Sequence, residues 1–152
     1  MRTIHWLILT GCSFVAGCNR SSGTVVFVAP DKFTGLFLVV EDRRADRTVK
    51  KDRGDYVFSV PKDGKIIVRD ASVLSESHKL SVQYENGYVL EFGAIDPRSG
   101  HSVWPLANVD GFKYFYFVGS LNDCEEVRKQ GDLTRLPLGV PIDDVVLRNS
   151  RK

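Results

Sequence analysis

The chain has 152 residues, 43% hydrophobic and 26% charged, which fits one globular domain with its own core and excludes an intrinsically disordered protein. With 21 basic and 19 acidic residues the formal net charge is only +2, so the electrostatics give no reason to expect a nucleic-acid partner. The three cysteines form no C-x-x-C pair and the three histidines are scattered, so no metal site and no cofactor are predicted.

The amino terminus has the order of a secretory signal. Arg2 supplies an early positive charge, and an apolar run from Leu7 to Gly17 follows it. As a helix this run would be about 16 Å long, roughly half the ~30 Å hydrocarbon thickness of a bilayer. It is therefore too short for a permanent transmembrane anchor, and residues 1–17 are predicted to be a signal peptide.

The end of this run, Val15-Ala16-Gly17-Cys18, resembles the lipobox of bacterial lipoproteins. The resemblance implies that Val15, Ala16 and Gly17 are read by the signal peptidase, and that Cys18 carries the lipid and becomes the first residue. Two or three acyl chains then anchor the protein durably in a membrane, since each buried CH₂ contributes about 0.8 kcal/mol. Asn19, in place of an aspartate, resembles the outer-membrane form of the sorting signal, so the outer membrane is favoured over the inner.

Two other interpretations of Cys18 are open. One makes it an ordinary buried apolar residue, but the polar segment 19–23 follows at once and has the composition of a flexible tether. The other is a plain signal peptide cut near Ala16 or Gly17, which would leave a free terminal thiol exposed to oxidation. The preferred organisation is a lipidated cysteine and tether over 18–23, a domain over 24–147 and a disordered basic tail over 148–152.

From Thr24 onward, short runs rich in Val, Ile, Phe and Tyr alternate with turn residues, which predicts strands. The predicted strands cover 24–29, 35–41, 55–61, 65–70 and 112–120, with both faces apolar in 35–41 and 112–120. One hairpin is predicted across Lys62-Asp63-Gly64, and a second over 79–95 around Asn86-Gly87. The charged run 41–55 mixes basic and acidic residues and is interpreted as a solvated connection rather than a docking surface.

One helix is predicted over 122–130, with Asn122 as its N-cap, Glu125 completing a capping box and Gly131 ending it. Cys124 on this helix is predicted to be a small buried hydrophobe, and His78 a surface residue. About seven short strands with one helix predict a mainly β domain, an antiparallel sandwich or a small barrel. The phrase PDKFTGLFLVV and the paired strands after it, over 24–95, resemble the transthyretin-like or prealbumin-like sandwich domains of bacterial lipoproteins.

The segment 96–110 holds the residues most suggestive of a site, and residues 96–105 are predicted to form a long loop. Asp96, His101 and Ser102 have the residue types of a hydrolase triad, but no nucleophile-elbow pattern surrounds the serine. Trp104, with His101 beside it, is the better candidate for ligand binding, because an indole can stack on a sugar ring. The alternative makes Trp104 a structural anchor.

Three functions are carried forward. The preferred one is a lipid-anchored, non-enzymatic binding module of the bacterial envelope, whose partner is an envelope protein or a glycan. The second is a small extracytoplasmic hydrolase or carbohydrate-active enzyme, which requires Asp96, His101 and Asp110 to converge. The third is a structural accessory lipoprotein without a small-molecule ligand.

Overall fold

The computed structural model describes residues 22–76 and 78–141. The predicted signal peptide, residues 18–21 of the tether and the basic tail lie outside these residues. The mainly β class is confirmed. In chain order the elements are β1 (Ser22–Ala29), β2 (Gly35–Glu41), β3 (Lys50–Asp52), β4 (Asp55–Ser59), β5 (Lys65–Val68), β6 (His78–Tyr84), β7 (Val89–Glu91), β8 (Ser102–Val109), β9 (Lys113–Gly119) and α1 (Leu121–Lys129), with 3₁₀ turns at Ser72–Ser75 and Leu133–Arg135.

The strands form two mixed sheets rather than purely antiparallel ones. A five-stranded sheet has the order β3-β4-β1-β6-β7 and a four-stranded sheet the order β5-β2-β9-β8. Strand β1 pairs in parallel with both β4 and β6, and β2 pairs in parallel with β5. The antiparallel expectation is corrected because the chain crosses between sheets after β1 and after β4, which makes distant strands neighbours. The described strands form two open sheets, so the sandwich is realised and the small barrel is not.

Of the two predicted hairpins, one forms. Strands β6 and β7 are antiparallel, with Gln83 opposite Val89, and Gly87 has the positive φ of 86° that the turn requires. The hairpin predicted across Lys62-Asp63-Gly64 is wrong, because β4 and β5 belong to different sheets. Both strands bury alternate residues, Phe58 on one and Ile66 on the other, and these residues enter the same core from opposite sheets.

The main core lies between the two sheets and is rich in aromatic rings. Phe27 of β1 lies 4.9 Å, centroid to centroid, from Phe37 of β2 and 4.8 Å from Tyr116 of β9. Phe37 and Tyr116 stack at 5.3 Å. Each fully buried ring of this kind stabilises the fold by roughly 1.5–3 kcal/mol relative to an exposed one.

The outer face of the four-stranded sheet is covered by a third layer. Leu36, Phe115 and Phe117 point to this face and pack with Cys124 and Val127 of α1. Strands β2 and β9 therefore bury both faces, as their apolar pattern predicts, and they occupy the two inner positions of their sheet. Cys124 is fully buried, as expected.

The helix begins one residue earlier than predicted because its cap is different. Ser120 is the N-cap, and its Oγ accepts a hydrogen bond from the Asp123 backbone N–H at 3.2 Å and donates one to the Asp123 carboxylate at 2.7 Å. The predicted cap, Asn122, is instead a residue of the first turn. Gly131 follows the helix with a φ of 78°, as its predicted role as a stop requires.

The sandwich has two ends that matter for function. Strand β1 begins at Ser22, inside the predicted tether, and lies in the middle of the five-stranded sheet. We call the end where β1 starts the tether end. The opposite end, called the far end, carries the β1–β2 turn (30–34), the β6–β7 turn (85–88) and the start of β8. Because β1 has eight residues, the two ends are about 25 Å apart.

Candidate functional site

The predicted loop from residue 96 is short, because β8 begins at Ser102. Asp96 closes a tight turn: its carboxylate accepts hydrogen bonds from the Ser99 hydroxyl at 2.7 Å and from the backbone N–H groups of Ser99 at 2.6 Å and Arg98 at 3.0 Å. The nearby Tyr88 hydroxyl and the Ser99 hydroxyl lower the pKa of Asp96 to about 2. Asp96 is therefore an ionised turn residue at neutral pH and is already engaged.

The residues of the proposed hydrolase set do not converge. The Ser102 hydroxyl is buried and donates to the Glu91 carbonyl at 2.8 Å, and no hydrogen bond joins the His101 ring to Asp96 or Ser102 among the described residues. Asp110 lies at the other end of β8, where its carboxylate pairs with the Lys113 ammonium at 2.9 Å. The geometry that the hydrolase alternative requires is absent from residues 22–76 and 78–141.

Trp104 lies on a strand, not on a loop. Strand β8 is an edge strand with a register irregularity between Pro105 and Ala107, and proline is tolerated at such positions. Because proline is otherwise rare in strands, Pro105 made this segment look like a loop in the sequence. The indole Nε1 donates to the Gly119 carbonyl at 3.0 Å, and the partly buried ring packs with the cluster beneath α1. This position matches the structural-anchor alternative, and Trp104 does not line the pocket that His101 lines.

His101 instead lines a pocket of about 250 Å³ at the far end, which we call the far-end pocket. Two tyrosines, Tyr84 and Tyr88, form its aromatic wall, with ring centroids 6.1 Å apart and planes 20° from parallel. The polar residues that complete the pocket are Lys32, Thr34, Asn86, Ser99 and His101.

The two tyrosine hydroxyls have different surroundings. The Tyr84 hydroxyl donates to the Phe33 carbonyl at 2.8 Å, and burial raises the pKa of Tyr84 to about 12. The Tyr88 hydroxyl is buried and has no hydrogen-bond partner among the described residues. It lies close enough to Asp96 to favour the ionised carboxylate there, but outside the geometry of a hydrogen bond. The far-end pocket thus has one satisfied and one unsatisfied hydroxyl behind its aromatic wall.

The two turns that carry the pocket are joined to each other. The Asp31 carboxylate accepts a hydrogen bond from the Asn86 backbone N–H at 2.8 Å, and the Phe33 N–H donates to the Pro30 carbonyl at 3.0 Å. Between them Lys32 has a φ of 61°, a conformation that costs a non-glycine residue about 1 kcal/mol. The fold therefore holds a lysine in a strained position at the pocket.

The structure places the other candidates apart from this pocket. His78 begins β6 at the tether end, and its ring Nδ1 is hydrogen-bonded to the Glu76 carbonyl. Val15, Ala16, Gly17 and Cys18 lie outside the described residues. Sequence reasoning did not identify Tyr84, Tyr88 or Lys32 as site residues, although the predicted Asn86-Gly87 turn lies between the two tyrosines.

Comparisons with known proteins show no family for this chain. Neither a protein-family model nor a curated protein significantly matches this chain. A crystal structure named "Putative Lipoprotein from Bacillus anthracis" is similar at 12% sequence identity and a TM-score of 0.38, covering 86% of this chain and 96% of the other. The resemblance to transthyretin-like domains stays a prediction. Among the described residues, no helix has the length and apolar character needed to cross a bilayer.

Proposed function

We propose that this chain is an exported bacterial lipoprotein, anchored through Cys18 to the outer membrane in preference to the inner one, whose β-domain binds an envelope partner without catalysing a reaction. The support for the anchor is the Val15-Ala16-Gly17-Cys18 sequence and its position relative to the fold. Every described strand and the helix come after Cys18, so cleavage before this cysteine removes none of them. The domain is therefore compatible with the processing that the lipobox implies.

The length of the linker sets how the domain is presented. Only residues 19–21 separate Cys18 from the start of β1 at Ser22. A fully extended chain rises at most about 3.6 Å per residue, so Ser22 lies within about 14 Å of the lipidated cysteine. The tether end faces the membrane in this arrangement, and the far end, with its pocket, faces away. A binding role is supported by this orientation, since a pocket pressed against lipid would be closed to a partner.

The anchor is tested by metabolic labelling with a radioactive or clickable fatty acid, followed by membrane fractionation. Wild-type chain is expected to be labelled and to sediment with membranes, whereas Cys18→Ala loses both properties. Cys12→Ala is the matched control, because it removes a thiol from the same amino-terminal segment and is expected to behave like wild type. Equal labelling of wild type and Cys18→Ala would refute the anchor.

A further inference from the structure

We propose that the far-end pocket binds a single ring of an acidic saccharide, with the ring against the tyrosine wall and the acidic group at Lys32. The inference rests on the binding role proposed above and adds the class of ligand. It does not depend on the lipid anchor, because every residue it uses belongs to the described domain.

The wall and the size of the pocket select the shape of the ligand. Tyr88 is only partly buried and presents its ring to the pocket, and the nearly parallel Tyr84 ring also lines it but is only 6% exposed. Aromatic surfaces bind the apolar face of a sugar ring while a polar rim binds its hydroxyls. A volume of about 250 Å³ lies below the roughly 300–1,000 Å³ of pockets for drug-sized ligands. One ring fits this space better than an extended chain does, so the pocket suits a terminal or side-branch residue.

The charges around the pocket select an acidic ligand. The seven lining residues include a lysine and a histidine but no carboxylate. Lys32 forms no ion pair with any described residue, and no hydrogen bond within the described chain occupies its ammonium group or the His101 ring. The Asp96 carboxylate is hydrogen-bonded to the 98–99 turn and the Asp31 carboxylate to the Asn86 N–H, and neither forms an ion pair with Lys32. An anionic group on the ligand can therefore form an ion pair with the Lys32 ammonium that no carboxylate of the described chain forms.

The rim also offers uncharged partners for hydroxyl groups. The Thr34 hydroxyl has no hydrogen bond within the described chain, and Asn86 uses only its side-chain oxygen, which accepts from the Tyr88 N–H at 2.9 Å. The Asn86 amide N–H₂ is therefore available as a donor. The link between Asp31 and Asn86 fixes both turns in place, and this fixation is what keeps Lys32 at its strained φ of 61°. A lysine at a position suited to glycine is explained if its ammonium group is needed there.

The test uses the full-length chain, purified in detergent micelles and labelled with ¹⁵N, and follows backbone amide shifts on addition of methyl glucuronide. Methyl glucoside is the matched probe without the carboxylate, and cyclohexanecarboxylate supplies a carboxylate without the hydroxyls. We expect methyl glucuronide to shift the amides around Asn86 and Ser99. Methyl glucoside should bind roughly tenfold more weakly because it lacks the charge-assisted hydrogen bond, and cyclohexanecarboxylate roughly tenfold more weakly because it lacks the hydrogen bonds of the hydroxyl groups.

Variants assign the carboxylate contact. Lys32→Gln is expected to reduce binding of methyl glucuronide to the level of methyl glucoside, and Lys62→Gln, at an exposed turn of the same end, is expected to bind like wild type. Lys32→Gly provides a second test that cannot fail through backbone strain, because glycine adopts a positive φ readily. The proposal is overturned if methyl glucuronide shifts no amide near the pocket, if all three probes bind equally, or if both lysine variants at position 32 bind it like wild type.

The two proposals fail separately. A chain that is acylated at Cys18 but does not respond to methyl glucuronide retains the anchor and refutes the ligand class. A chain that binds methyl glucuronide but incorporates no fatty acid retains the pocket and refutes the anchor.

Discussion

The paired tyrosines of the far-end pocket allow one prediction in which the same chemical change has different effects on stability at two neighbouring positions. Tyr84→Phe and Tyr88→Phe each remove a single oxygen atom from one of two rings whose centroids are 6.1 Å apart. The Tyr84 hydroxyl donates to the Phe33 carbonyl at 2.8 Å, whereas the Tyr88 hydroxyl is buried without a hydrogen-bond partner among the described residues. The two variants therefore measure a satisfied and an unsatisfied buried hydroxyl in one local environment.

The expected magnitudes follow from the cost of unpaired polar groups. Tyr84→Phe leaves the Phe33 carbonyl without its hydroxyl donor, which lowers the free energy of unfolding by about 1–3 kcal/mol. Tyr88→Phe removes a hydroxyl that forms no hydrogen bond within the described chain but favours the ionised Asp96 carboxylate. The desolvation cost that is relieved is offset by the loss of this effect, so the free energy of unfolding is expected to stay close to that of wild type. For a domain of this size each kcal/mol shifts the Tm by about 3–5 °C.

Urea unfolding at neutral pH, followed by the fluorescence of Trp104, measures both variants. The midpoint should fall for Tyr84→Phe and stay close to wild type for Tyr88→Phe, with an unchanged denaturant slope in both cases. A Tyr88→Phe variant as destabilised as Tyr84→Phe would show that the Tyr88 hydroxyl has a stabilising partner, and the reasoning would be refuted.

The Tyr84 hydroxyl also predicts a dependence on alkaline pH. Burial raises the pKa of Tyr84 to about 12, so the folded chain holds this proton more tightly than the unfolded chain does. The corresponding stability is fully present below the ordinary tyrosine pKa of 10.0 and is lost as the pH rises toward 12. Tyr84→Phe should lose less stability over this interval than wild type, and equal losses would contradict the assignment.

Two further predictions concern a glycine and a carboxylate. Gly35 has a φ of 109°, and a Cβ there would overlap the Val140 carbonyl oxygen, so Gly35→Ala should lower the free energy of unfolding by roughly 3 kcal/mol or more. Gly87 has a φ of 86° but lies in open space, so Gly87→Ala should lower it by only about 1 kcal/mol. Equal losses for the two variants in urea unfolding would argue against the close approach at Gly35. The pKa of Asp96, about 2 against an ordinary 3.8, should move up in Ser99→Ala when its carboxyl is titrated by NMR. Because this pKa is lowered in the folded chain, the associated stability is present above 3.8 and is lost as the pH falls toward 2; a Ser99→Ala variant with an unshifted titration would rule out the Ser99 contribution.

Local patterns in the sequence predicted the strands with the strongest signals. Strand β2 forms over the predicted residues 35–41, and β9 lies within the predicted 112–120. Both strands were predictable because both of their faces are apolar: consecutive residues such as Phe115 and Tyr116 pack into two different apolar layers on opposite faces of the sheet. The Asn86-Gly87 turn was equally predictable from the sequence, since only a few residue types readily adopt the positive φ of a tight hairpin turn.

The pairing of strands was beyond such local signals. A Lys62-Asp63-Gly64 turn is compatible with a hairpin or with a crossing between sheets, and the choice depends on which partner β5 meets elsewhere in the fold. The far-end pocket could not be predicted from local sequence for the same reason, because Lys32 and His101 become neighbours only when both sheets are assembled. Trp104 was misplaced on a loop for a local reason, since Pro105 interrupts the pattern of an edge strand.

The central position of β1 also governs the order in which the molecule is completed. Val25 has to find Tyr56 on one side and Leu80 on the other, so the first strand to emerge, from a ribosome or from an export channel, is among the last to acquire both neighbours. Pairings this remote along the chain carry a large loop-closure entropy and slow the folding reaction. Until residues 78–84 have followed, β1 lacks one of its two neighbouring strands, and Val25 and Phe27 are without their full cover during this interval.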